Sequence, residues 1–259
     1  MGVFLLDALK LYYDCDEIGG TRFDSGPNGL DVPVTGSVGS VTGARTLGVG
    51  GTGNTSNFLE AAHNDLFRVP GAFTLSYWTF IPAGTLTTNH PAISHFNTTS
   101  PNVQASWLGY MRNSNDRNTF EVSADGVAAN VVRVSWGSAP VVDTWQHVVC
   151  VFDPVAALIK ISVDRGAFVT AAFTGPIFAA TAPLGITSMR VSSHIVGLGD
   201  VDEIGGWDRV PNTEELDYLF GGGTPPAFSS FVSSTPDSAG DDESAAHNYF
   251  YNEGRDRHG

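Results

Sequence analysis

The sequence predicts an all-β protein: an antiparallel β-sandwich with one short C-terminal helical turn and an extended tail. Three observations predict it. Apolar residues recur with a period of two through at least six segments, the pattern of strands with one buried face. Turn signals separate these runs at the spacing of a sandwich. Glycine is abundant (30 of 259 residues), charged residues make up only 15%, and aromatics 11%, as in a turn-rich folded chain with several core anchors.

Taken in order, "LKLYYDCDE" alternates Leu9, Leu11, Tyr13 and Cys15 with Lys10, Tyr12, Asp14 and Asp16, a half-buried strand. Gly19 to Gly53 is rich in Gly, Thr, Ser and Val and reads as loops with short edge strands. "AFTLSYWTFIP" (Ala72 to Pro82) is β-rich on both faces, as in a central strand. "NTFEVSADG" turns Phe120, Val122 and Ala124 inward and ends in an Asp-Gly turn. "VVRVSWG" sets Val132, Val134 and Trp136 on one face. "WQHVVCVFD" does so with Val148, Cys150 and Phe152, and "LIKISVDRG" with Ile159, Ile161 and Val163. One helix signal follows: Asn212 caps, Glu215 stands three residues later as in a capping box, and Leu216, Leu219 and Phe220 form a stripe stopped by Gly221 to Gly223.

Two regions result. Residues 1–220 form the sandwich, and residues 221–259 form a Gly/Ser/Pro-rich acidic arm ending in Tyr249, Phe250 and Tyr251. Such a composition cannot repay its own ordering entropy. The expectation is that the arm docks on another copy or another component, with Phe228, Phe231, Tyr249, Phe250 and Tyr251 as anchors.

A net charge of −14 argues against a nucleic-acid partner, which needs clustered Lys and Arg. No stretch is long enough to insert in a membrane. The start "MGVFLLDALK" lacks a basic segment before its short apolar run, so synthesis in the cytoplasm without a signal peptide is expected. Cys15 and Cys150 lie in strand segments without ligand spacing and read as buried free thiols.

In order along the chain, "LYYDCDEIGGTRFDSGPNGL", "FTLSYWTFIP", "DTWQHVVCVFD", "IKISVDRGAFV" and "VDEIGGWDRVPNTEELDYLF" resemble the laminin G-like, concanavalin A-like jelly-roll family, from about Leu9 to Gly223. The sequence departs from the family pattern at Arg165, which splits the usual Asp-Gly, and at Gly205 and Gly206, where the family prefers β-branched residues. The resemblance implies a jelly roll whose first and last strands are neighbours, bringing the Asp24–Asn28 loop towards Asp202. In a regular strand Asp202 shares a face with Ile204, which leaves an acid at the rim of the core in need of a partner. Asp24, Asn28 and Asp202 are hard oxygen donors of the kind that bind a structural Ca²⁺. Equally, Asp24 and Asn28 can form an Asx turn while Asp202 pairs with Arg22 or Arg45.

Catalysis is not expected. Glycan hydrolysis needs two carboxylates flanking the bond, and the E-x-D-x-x-E strand of laminarinase-type relatives is missing. His147 lacks a nucleophile in its motif and reads as a partly exposed or backbone-bonded strand residue. No phosphate loop or nucleophile elbow occurs. Trp107, with Tyr110 and Arg112 beside it, is the candidate glycan-contacting rim; the alternative is a hairpin residue packed on its neighbour. Two functions follow. The resemblance, the missing signal and the arm suggest a non-catalytic bacteriophage virion component, a decoration or tail protein at the virion surface. The alternative is a carbohydrate-binding adhesion module directed at cell-surface glycans.

Overall fold

A computed structural model describes residues 3–98, 103–191 and 193–234. Its strands are β1 (Leu9–Tyr13), β2 (Val34–Thr35), β3 (Ser40–Thr42), β4 (Leu47–Val49), β5 (Phe58–Ala61) and β6 (Phe73–Phe80). Then come β7 (His90–Asn97), β8 (Gln104–Arg112), β9 (Arg117–Val122), β10 (Val132–Ser135), β11 (Trp145–Asp153) and β12 (Leu158–Val163). The last five are β13 (Val169–Ala172), β14 (Leu184–Ile186), β15 (Ser188–Val191), β16 (Ser193–Val196) and β17 (Asp200–Trp207), before helix α1 (Thr213–Phe220).

Two sheets face each other. The first runs β13-β12-β11-β6-β17-β4-β3, with β1 also on β17; the second runs β10-β9-β8-β7-β14-β5-β2, with the β15–β16 hairpin joined to β7. All but the single β15–β7 bridge are antiparallel. The fold is the expected jelly-roll sandwich, and its first and last strands are indeed neighbours. One core fills the space between the sheets, and it contains most of the inward residues read from the alternation: Leu11, Tyr13, Phe120, Val134, Val148, Phe152, Ile159 and Ile161 among them. Both cysteines are buried and free. Among the described residues no helix is long and apolar enough to cross a membrane.

The capping box forms as read. The Asn212 side-chain Oδ1 accepts from the Glu215 backbone N–H at 3.0 Å, and the Asn212 backbone N–H donates to Glu215 Oε2 at 2.8 Å. Glu215 also takes two bonds from the Arg209 guanidinium (2.6 and 2.8 Å), which in turn donates to the Phe4 and Asp7 carbonyls. Helix, strand end and N-terminal segment are thereby tied together over the outer face of the first sheet.

The same face corrects two expectations. Phe228 and Phe231 belong to the sandwich's own packing: both rings lie against Tyr12, at centroid distances of 4.8 and 5.0 Å. Phe231 is buried with Leu5, Leu9, Trp207 and Leu219, and Leu6 donates to the Val232 carbonyl. The arm's first part is repaid by its own domain, because Tyr12 and Trp207 leave an apolar face that needs a cover. Tyr249, Phe250 and Tyr251 lie outside the described residues. His147 is not partly exposed but fully buried on this outer face, with Trp78 and Phe220 stacked near its ring and Ser76 Oγ 2.7 Å from its Nε2.

The two departures from the family pattern have local causes. A Cβ on Gly205 would stand 2.2 Å from the Trp207 indole, so a β-branched residue is excluded there. Asp164 and Arg165 both occupy the left-handed region (φ 49° and 61°), in the turn that leaves β12 towards β13, where the Gly166 amide donates to the Val163 carbonyl at 2.9 Å.

Candidate functional site

Strand β17 does not alternate through its acids. Val201 and Ile204 both enter the core, so two residues, Asp202 and Glu203, stand between them instead of one. The register against β6 shifts there, and Glu203 has φ 47°. This is a β-bulge, and it lies where β17 changes its second partner from β4 (at Val49) to β1 (at Tyr13). Asp202 therefore does not share a face with Ile204. Its Oδ2 accepts from the Ala44 and Arg45 amides (2.8 and 3.3 Å) and its Oδ1 from the Glu203 amide at 2.8 Å. The Arg45 guanidinium goes to Glu203 (2.5 Å) and Asp16 (3.0 Å), while Arg22 is spent on the Gly20 and Gly39 carbonyls.

The calcium triad does not fit this geometry. Asp24 accepts three backbone amides, from Tyr12, Gly26 and Leu30 (2.8 to 2.9 Å), and Asn28 donates to the Lys10 carbonyl at 2.7 Å. Asp24 and Asn28 fasten their loop to β1, at Tyr12 and Lys10, while Asp202 serves the Ala44, Arg45 and Glu203 amides. Among the described residues no group of three His, Cys, Asp or Glu is placed to hold a metal ion. The Asx-type alternative accounts for Asp24.

The rim candidates separate by strand parity. Trp107 is 1% exposed, faces Phe73 and His95 between the sheets, and donates Nε1–H to the Phe67 carbonyl at 3.1 Å. It is a core residue and cannot touch a ligand. Tyr110 and Arg112 project from the other side of β8, where they line a groove of about 280 Å³ on the outer face of the second sheet.

This groove is built by register. Leu108 of β8 stands opposite Glu121 of β9, which stands opposite Arg133 of β10, giving one row across three strands. Tyr110 reaches diagonally to donate its hydroxyl to Glu121 Oε2 at 2.9 Å, and Arg133 Nε donates to the same oxygen at 2.6 Å. Phe96, Met189 and Ala128 complete an apolar floor and one wall, and Asn89, Asn113 and Ser114 form a polar end. Burial and the Glu121 charge hold the Tyr110 hydroxyl well above its usual range, so it remains a donor at all working pH values. The volume lies at the lower edge of ligand clefts, roughly 300 Å³, which suits a sugar ring or two better than a long chain. Sequence reading missed Glu121 and Arg133. Both sit at outward positions between Phe120 and Val122, and between Val132 and Val134, but alternation alone does not say which outward residues become neighbours.

Residues 52–217 match the Laminin_G_3 family model, described as the concanavalin A-like lectin/glucanases superfamily. The chain belongs to this superfamily. No curated protein matches it. The superfamily sandwich is similar to the receptor binding domain of botulinum neurotoxin C/D mosaic serotype, with TM-score 0.66 and 11% identity, over 85% of this chain and 55% of that one. The binding domain of Paraclostridial Mosquitocidal Protein 1 gives TM-score 0.63 and 12% identity over 83% and 52%. A botulinum neurotoxin type C structure, whose cell entry is described as dependent upon interaction with two ganglioside molecules, gives 0.61 and 12% over 85% and 52%. At such identities the likeness is one of fold, and the chain spans about half the length of these neighbours.

Proposed function

We propose that the protein is a non-catalytic carbohydrate-binding module of the adhesion type. One observation carries the reading: an apolar floor and a fixed Tyr110–Glu121–Arg133 hydrogen-bonded row meet in a single open groove. Saccharides present alternating apolar ring faces and hydroxyls, and such a groove offers apolar contact together with oriented donors and acceptors. Glu121 is the one acidic side chain among the described residues lining the groove. A hydrolase of the usual kind needs two carboxylates across the bond, so binding without turnover is the better reading. Membership of a superfamily of lectins and glucanases supports carbohydrate recognition, and the ganglioside interaction described for a fold neighbour fits binding.

The virion-assembly reading rested mainly on the arm. With Phe228 and Phe231 packed on the chain's own Tyr12, no described residue favours it over binding. The test is a glycan array read with the purified protein, followed by titration calorimetry of the hits with wild type and Arg133→Ala. Saturable binding that Arg133→Ala weakens supports the proposal. An array without hits ends it.

A further inference from the structure

The groove holds two guanidinium groups and one carboxylate, a local charge of +1 on a chain whose net charge is −14. Glu121 and Arg133 neutralise one another at 2.6 Å. Arg112 is left over. Among the described residues its side chain makes no ion pair and no hydrogen bond, although Arg45, Arg165, Arg190 and Arg209 all pair with acids. It also stands directly opposite Arg117 at the end of the β8–β9 hairpin, and that side chain is equally unpaired. Like charges at opposite strand positions destabilise a sheet. A half-buried, unpaired arginine beside a second one is a costly arrangement that an anion arriving from outside would relieve.

Resting on the glycan-binding reading, we infer that the groove selects saccharides bearing a carboxylate, uronic or sialic acids, with Arg112 as the residue that recognises the acid group. A guanidinium presents its N–H donors as a flat fork that matches a carboxylate in two parallel hydrogen bonds, which a neutral hydroxyl cannot equal. The inner guanidinium, Arg133, is already held by Glu121 at 2.6 Å, which leaves the Arg112 end of the groove for the acid. The sugar ring then lies over Leu108 and Tyr110, with its carboxylate at the Arg112 end near Asn113 and Ser114.

The experiment uses the full chain and a panel of uronic- and sialic-acid oligosaccharides, each as free acid and as methyl ester, with neutral and sulfated saccharides alongside. Binding of the free acids about tenfold or more above their esters is expected. Arg112→Gln should erase that ratio without lowering the melting temperature, and Arg112→Lys should restore only part of it. Hits confined to neutral sugars, esters that bind as well as acids, sulfated sugars that bind better than carboxylated ones, or an unchanged ratio in Arg112→Gln would each overturn the inference. Neutral-sugar binding would leave the module reading intact, whereas a panel with no binding at all would sink both.

Discussion

Arg45 meets Glu203 at 2.5 Å, Nε to Oε1, at the point where β17 exchanges β4 for β1 as its neighbour. A strand that changes partners leaves backbone groups unpaired, and buried unpaired groups are costly. The two adjacent acids answer that need. Asp202 accepts the Ala44 and Arg45 amides, and Glu203 holds the Arg45 guanidinium on one oxygen and the Tyr12 hydroxyl on the other. Their place in the sequence is explained by the bulge and requires no ligand.

The pair sets a pH dependence of defined sign. Burial, with the Glu203 charge adding to it, pushes the Asp202 carboxyl up to about 8; burial likewise pushes Glu203 up to about 7 against its bonds from Tyr12 and Arg45. Unfolded carboxyls titrate near about 4. Between these values the folded chain keeps protons that the unfolded chain has lost, so this contribution to stability falls as pH rises from about 4 to about 8. Urea melts at pH 5 and 8 should show a shallower decline in Asp202→Asn than in wild type. An equal decline in both proteins would refute the assignment.

His147 acts in the opposite direction at lower pH. Burial holds its imidazole down to about 3, with Nδ1 lacking a partner and Nε2 on Ser76. The unfolded ring titrates near about 6.5, so its contribution is complete above that pH and is lost as pH falls towards 3. His95, held down to about 3 mainly by burial, adds a second proton. His147→Gln should therefore take up about one proton fewer on unfolding at pH 5, measurable from the pH dependence of the urea midpoint. No change in that dependence would mean that His147 is already charged in the fold.

Packing of the arm's first part predicts a loss on truncation. Phe231→Ala should cost about 3 kcal/mol, the usual toll of emptying a buried phenylalanine site. Ending the chain after Gly223 should cost at least as much, because Tyr12 and Trp207 lose part of their cover. Thermal melts of both variants test this. A truncated chain as stable as wild type would show that residues 224–234 add nothing to the sandwich.

Millimolar Ca²⁺ should leave the melting temperature where it is, in wild type and in Asp24→Asn alike. The Asp24 and Asp202 oxygens expected to bind it already serve backbone amides. A rise abolished by Asp24→Asn would reinstate the ion, since a ligand of the folded state must stabilise it.

Removing Arg209 should leave Glu215, almost fully buried, without its cation. Arg209→Ala is expected to destabilise by roughly 3 kcal/mol, more than Glu215→Gln, which keeps the capping-box acceptor. Paired denaturant melts distinguish the two, and equal losses would show that the cap matters and the charge does not.

Much of this protein was legible in its residues alone. The adjacency of first and last strands was implied only by the family resemblance, whereas the all-β class, the inward sets around Phe120, Val148 and Ile159 and the capped turn at Asn212 follow from period-two burial and turn chemistry. These are local properties, repeated often enough for neighbouring residues to specify them. Tertiary structure decided what locality cannot carry. A bulge at Glu203 put two acids side by side where alternation would have split them. Strand parity sent Trp107 into the core and Tyr110 with Arg112 into the groove, and the pairing of β8, β9 and β10 brought Glu121 and Arg133 to them from up to 23 positions away. Phe231 found its cover on Tyr12, more than 200 residues earlier in the chain. Register and long-range packing are set by the combined burial of whole sheets, so no single window of sequence contains them.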